Sequence, residues 1–95
     1  LLAKNTAEER MSAFLMNLSV RYSQRRLSGT SFNLPMTRID VANFLGLAVE
    51  TVSRVLSRMQ NRGIIKVKGR DLTIVDKQAL CEMAHLRGSD KASTH

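Results

Sequence analysis

Between Thr37 and Ser57 the chain reads TRIDVANFLGLAVETVSRVLS, and this stretch limits the possible folds more than any other. Thr37 with Asp40 three residues on is a helix-start signal, because a threonine hydroxyl can accept from a free amide of the first turn. Val41, Ala42, Phe44 and Leu45 supply the buried side of the short helix that follows. Gly46 interrupts it where a tight turn needs positive φ. A second helix is predicted from Val49 to Asn61, with Val52, Val55, Leu56 and Met59 as its apolar stripe. Two short amphipathic helices hinged at a glycine make a helix-turn-helix.

The flanks extend the pattern. Thr6-Ala7-Glu8-Glu9 has the form of a capping box. Behind it, Met11, Phe14, Leu15, Leu18 and Tyr22 share one face of a helix predicted from Ala7 to Arg25. Arg10, Arg21, Arg25 and Arg26 lie off that stripe and read as a solvated face. Ser28 to Ser31 is a turn or loop. Phe32 to Met36 reads as a short strand, on an edge because Pro35 cannot donate to a ladder. Arg62-Gly63 closes the second helix of the pair with a cation and a glycine cap.

From Ile64 the period becomes two. Ile65, Val67, Leu72 and Ile74 alternate with polar residues around Lys68-Gly69-Arg70-Asp71, which predicts a β-hairpin. Asp76 caps a last short helix in which Leu80, Met83 and Ala84 share a face. The predicted fold is mostly α with a small β-hairpin: a winged helix-turn-helix over residues 1–86, with a polar, disordered tail over 87–95. The chain starts at Leu1 rather than Met, so it is expected to be part of a longer protein.

Charge narrows the partners. Fifteen Lys and Arg against eight Asp and Glu give a formal charge of +7, which favours polyanions. Apolar runs fall short of the ~20 residues a membrane span needs, and no secretory signal pattern is present. The single cysteine, Cys81, excludes an internal disulfide and fits a cytoplasmic setting. Cys81 and His85 stand i, i+4, but with no second ligand pair they read as no metal site, and Cys81 as a small buried hydrophobe. Paired carboxylates with a base, a Ser-His-Asp set and a phosphate-cradling glycine loop are all missing, so catalysis is not expected.

Stepping 100° per residue from Val52 puts Val55, Leu56 and Met59 within about 60° of it. Glu50, Ser53, Arg54, Ser57 and Arg58 fall on the opposite side. Arginine can donate twice to guanine, glutamate can accept from cytosine, and serine can do either. Glu50, Ser53 and Arg54 are therefore the candidate base readers. An i, i+4 pair such as Glu50 and Arg54 often only decorates a solvated helix; here the Gly46 turn and the hairpin favour the reading role, and Glu50 can also hold the Arg54 fork. Arg38 opens the first helix of the pair at its positive dipole end, a favourable phosphate site. Thr51, Ser57 and Arg58 are further phosphate candidates, as are Lys68 and Arg70 of the basic hairpin, which also carries Lys66. Lysine on an edge strand serves equally to block edge-to-edge pairing.

Residues Met36 to Asp76, MTRIDVANFLGLAVETVSRVLSRMQNRGIIKVKGRDLTIVD, resemble the C-terminal domain of the Crp/Fnr family of bacterial transcription regulators. NTAEERMSAFLMNLSVRYSQR, Asn5 to Arg25, is similar to the preceding helix of the Fnr-like branch. The resemblance implies a homodimer with an N-terminal sensor domain outside this segment, the isolated domain being monomeric. It implies a double-stranded DNA half-site similar to TTGAT, with Arg54 on guanine, Glu50 on the paired cytosine or a neighbour, and Ser53 discriminating the outer bases. Val49 stands where the cyclic-nucleotide branch has an arginine, which favours the Fnr-type site. Ala48 stands where many relatives carry a capping Ser or Thr. An iron–sulfur cluster belongs to the absent sensor domain in the Fnr branch; Cys81 alone cannot hold one, and this segment is expected to need no cofactor. The loop 26–31 resembles the RNA polymerase contact of such activators, although a plain connection explains it as well. The competing reading is a winged helix that binds protein or RNA, whose mark would be exposed apolar groups on the second helix or wing.

Overall fold

The computed structural model describes residues 6–25 and 28–84. In chain order the elements are α1 (Ala7–Gln24), β1 (Ser31–Asn33), α2 (Arg38–Leu45), α3 (Val49–Asn61), β2 (Ile65–Lys68), β3 (Asp71–Ile74) and α4 (Lys77–Ala84). Arg26, His85 and the tail 87–95 lie outside the described residues.

Helix starts follow local chemistry. At α1 the Glu9 amide donates to the Thr6 hydroxyl over 3.0 Å, and the Thr6 amide donates back to the Glu9 carboxylate over 2.8 Å. At α2 the Asp40 amide donates to Thr37 Oγ1 at 3.1 Å. At α4 the Ala79 amide donates to the Asp76 carboxylate at 3.0 Å. Each bond satisfies an amide that has no partner within its own helix. Helix α3 starts differently, on Ala48, with no side-chain cap.

Helix α3 ends in a Schellman motif. Gly63 adopts φ +75°, its amide donates to the Gln60 carbonyl at 3.0 Å, and the Ile64 amide donates to the Met59 carbonyl at 3.0 Å. The chain is thereby turned straight into β2. Strands β2 and β3 form a hairpin in which Lys68 faces Asp71, leaving Gly69-Arg70 as a two-residue turn. Gly69 takes φ +62°, as such a turn requires at its first position.

The β-structure is a three-stranded antiparallel sheet in the order β1-β3-β2, one strand more than a hairpin. Ser31 pairs with Thr73 and Phe32 with Leu72, so Ser31 belongs to a strand rather than to the predicted loop. Strand β1 stops at Asn33, and Pro35 lies beyond it. Strand β1 is fixed to α1 from the side. The Tyr22 and Phe32 rings stack at 5.0 Å, and the Tyr22 hydroxyl donates to the Asn33 carbonyl at 3.3 Å.

The core lies between α1, the buried face of α3, α4 and one side of the sheet. Met11, Leu15, Val52, Met59, Ile65, Leu72 and Leu80 are almost wholly buried in it. Removing that apolar surface from water is the main term favouring the fold. Cys81 is half-buried, with its sulfur 3.7 Å from that of Met16.

Two side chains depart from their predicted setting. Phe44, expected inside, is 66% exposed, with its ring 5.6 Å from that of Phe14. The period of α2 places it beside α1, but nothing lies over its outer face among the described residues. Arg10, expected in solvent, is half-buried, and its Nη1 donates to the Leu45 carbonyl at 3.1 Å. It therefore satisfies a carbonyl at the C-terminal end of α2.

Candidate nucleic-acid interface

The angle between α2 and α3 depends on one residue. Gly46 stands at φ +71°, ψ +37°, a left-handed cap that side chains other than glycine rarely adopt. The Leu47 amide then donates to the Ala42 carbonyl at 2.8 Å, closing the turn. Arg10 holds the same corner from α1.

With Val52, Val55, Leu56 and Met59 buried, the opposite face of α3 is fixed outward. Glu50, Ser53, Arg54, Ser57 and Arg58 are all exposed. The predicted base readers thus share one accessible face near the start of the helix. Glu50 and Arg54 make no ion pair with each other, so the fork is not held in the way the i, i+4 spacing allowed; Arg58 with Glu8 is the ion pair found among the described residues. Val49, at the head of α3 and on the flank of its buried stripe, is 39% exposed.

The predicted phosphate ligands differ in how they are held. Arg38 is half-buried, and its Nη2 donates to the Gly69 carbonyl in the hairpin turn at 2.7 Å. Arg70 Nε donates to the Leu34 carbonyl at 3.2 Å, and the Leu34 amide donates to the Arg70 carbonyl at 2.8 Å. Arg58 Nε lies 3.0 Å from the Glu8 carboxylate, which draws that guanidinium toward α1. Lys66 and Lys68 are exposed, Ser57 stands clear on α3, and Thr51 is half-buried.

Sequence reasoning also missed a tie between α3 and the hairpin. The Gln60 side-chain oxygen accepts from the Val67 amide at 2.6 Å. Strand β2 is an edge strand, and the pairing of Lys68 with Asp71 and Lys66 with Thr73 leaves the Val67 amide pointing away from β3. Gln60 satisfies that amide, while Arg38 holds the turn. Between these two ties lies a polar slot of about 270 Å³, lined in part by Ser53, Ser57, Gln60 and Gly69. Helix α3 and the hairpin therefore present one continuous basic and polar surface.

Comparison with known proteins agrees with this arrangement. Residues 9–83 match the family described as Crp-like helix-turn-helix domain. The chain is 50% identical over 84 residues to "Transcriptional activator protein FnrA" of Stutzerimonas stutzeri, covering 88% of this chain and 34% of that protein. It is 50% identical over 91 residues to "Fumarate and nitrate reduction regulatory protein" of Vibrio cholerae, covering 96% of this chain and 36% of that protein. The solved structure of FixK2 from Bradyrhizobium japonicum superposes with a TM-score of 0.72 at 38% identity, covering 87% of this chain and 40% of that one. The chain thus spans about a third of the length of the curated relatives it matches. Both curated relatives carry the names of regulatory proteins, one of them a transcriptional activator. In sequence, in its turn-hinged helix pair and in its sheet, the chain belongs to the Crp-like helix-turn-helix domain family.

Proposed function

We propose that this chain is the sequence-specific DNA-binding domain of a Crp/Fnr-type transcription regulator, with α3 lying in the major groove of duplex DNA. The observation that supports this most is the outward face of α3. Glu50, Ser53 and Arg54 are exposed there together and unpaired within the described residues. Arg54 donates to guanine O6 and N7, Glu50 accepts from the paired cytosine or a neighbouring base, and Ser53 discriminates the outer bases. Val49 adds an apolar contact suited to a thymine methyl. This set fits a TTGAT-like half-site.

Arg38, Thr51, Ser57, Lys68 and Arg70 hold the phosphate backbone and fix register. Arg58 takes part through its free Nη groups, with a weaker pull because the Glu8 carboxylate offsets its charge. The intact protein works in the cytoplasm as a homodimer joined through segments outside this chain. It reads an inverted repeat about one helical turn apart, contacts RNA polymerase, and carries any iron–sulfur cluster in its sensor domain.

Arg54→Ala tests the reading. Specific binding should weaken by ~1–3 kcal/mol while preference at the guanine position relaxes. Equal losses on specific and random duplexes would reject direct readout by Arg54.

A further inference from the structure

Away from the reading face, α1 and α2 enclose an open groove of about 560 Å³. One wall is a face of α1 made by Arg10, Phe14, Leu18 and Arg21, and the other is Pro35-Met36 with Phe44-Leu45. Phe44 is the most exposed large apolar side chain of the described residues, at 66%, and it stands in this groove. Large apolar groups gathered in a concave site, rather than scattered, are the usual mark of a docking surface.

The groove has a length and a charge. Arg10 and Arg21 are the first and last α1 residues that line it, eleven positions apart, a rise of about 16 Å or three helical turns; Arg10 Nη1 is engaged by the Leu45 carbonyl, so its other N–H groups are the ones left for a ligand. No carboxylate lines it. A cylinder of matching length with apolar groups at i, i+4 and i+7 would fill it, and carboxylates at both ends of that cylinder would meet the two guanidiniums. None of the lining residues belongs to α3 or the hairpin.

We infer that this groove docks an acidic amphipathic helix of a partner protein, anchored on Phe44 and available while α3 is on DNA. The groove would keep its occupant whatever α3 reads, so the two assignments fail separately.

The probe is a synthetic helical peptide of about 16 residues with three leucines at i, i+4 and i+7 and glutamates at both ends. A matched peptide with lysine ends is its control. Binding is followed by fluorescence anisotropy at ~0.1 M salt, where long-range attraction between the basic chain and an acidic peptide is largely screened. Amide shift mapping by NMR locates the site. The acidic peptide should bind with a dissociation constant on the order of 10–100 μM. Shifts should gather on α1, Pro35-Met36 and the end of α2, and persist when duplex DNA saturates the chain. Phe44→Ala should weaken binding by about tenfold or more. Arg21→Glu, a surface change that does not touch the fold, should invert the preference toward the lysine-ended peptide.

Four results would overturn the inference. The two peptides could bind alike. The shifts could centre on α3 and the hairpin and vanish with DNA, which is nonspecific attraction to the basic surface. The chain could self-associate through a Phe44-dependent contact, which gives the groove to a second copy. The full-length protein could refuse a peptide that the 95-residue chain accepts, which gives the groove to the protein's own remaining segments.

Discussion

Helix α3 starts without the cap that α1, α2 and α4 possess, and this gives a sharp test of the local physics. Ala48 has φ −73° and ψ 150°, close to Thr37 at φ −73° and ψ 169°. The backbone is already in the capping conformation; only a hydroxyl is missing. A serine at 48 would place Oγ within reach of the Glu50 or Thr51 amide, as Thr37 does for Asp40 at 3.1 Å. The gain is about 1 kcal/mol, the usual cost of the reverse change. For a domain of this size 1 kcal/mol corresponds to a rise in Tm of about 4–8 °C. Thermal melts followed by circular dichroism, at fixed salt and without DNA, measure it. Ala48→Asp should stabilise at least as well, since a carboxylate also suits the positive end of a helix. The two variants should part company on DNA. Aspartate at the head of α3 would face phosphates and weaken binding, whereas serine would not. A serine variant that melts at or below the parent would refute the reasoning, because the first amides of α3 would then not be open to a cap.

Three further expectations rest on single features. The Ser12 hydroxyl is fully buried with no hydrogen-bond partner, so Ser12→Ala should raise stability by about 1 kcal/mol in urea titrations, through relief of desolvation and better helix propensity; a loss of stability would mean that the hydroxyl has a partner. A Cβ on Gly46 would meet nothing nearer than Arg10 Nη1 at 3.7 Å, so Gly46→Ala should cost only the ~1–2 kcal/mol of a left-handed alanine, and a cost well above that would indicate crowding instead. Gln60→Met keeps the bulk of the side chain and removes its acceptor, so amide exchange at Val67 should accelerate and global stability should fall by less than about 1.5 kcal/mol; unchanged exchange at Val67 would show that the 2.6 Å bond gives that amide no protection.

The sequence was most readable where structure is local. Helix α3 runs from Val49 to Asn61 as its stripe and the Arg62-Gly63 stop require, and the caps at Thr6, Thr37 and Asp76 all form. The outward set Glu50, Ser53 and Arg54 followed from the same periodicity. Long-range geometry was not readable in this way. Periodicity marks Phe44 as apolar, but whether another element lies over it is a tertiary fact. Arg10 lies 35 positions from the carbonyl it serves. Strand β1 has three residues, too few for a period of two to stand out. The Gln60 tie needs the register of the hairpin, which fixes the direction of the Val67 amide.

The carbonyl of Ile64 accepts from both the Val75 amide at 2.8 Å and the Asp76 amide at 3.1 Å. It sits directly after the last turn of α3, and Asp76 is the cap of α4. One oxygen thus ties the exit of α3 to the entry of α4, much as a rivet joins two plates. A rearrangement that broke both bonds would leave two amides without their acceptor at once.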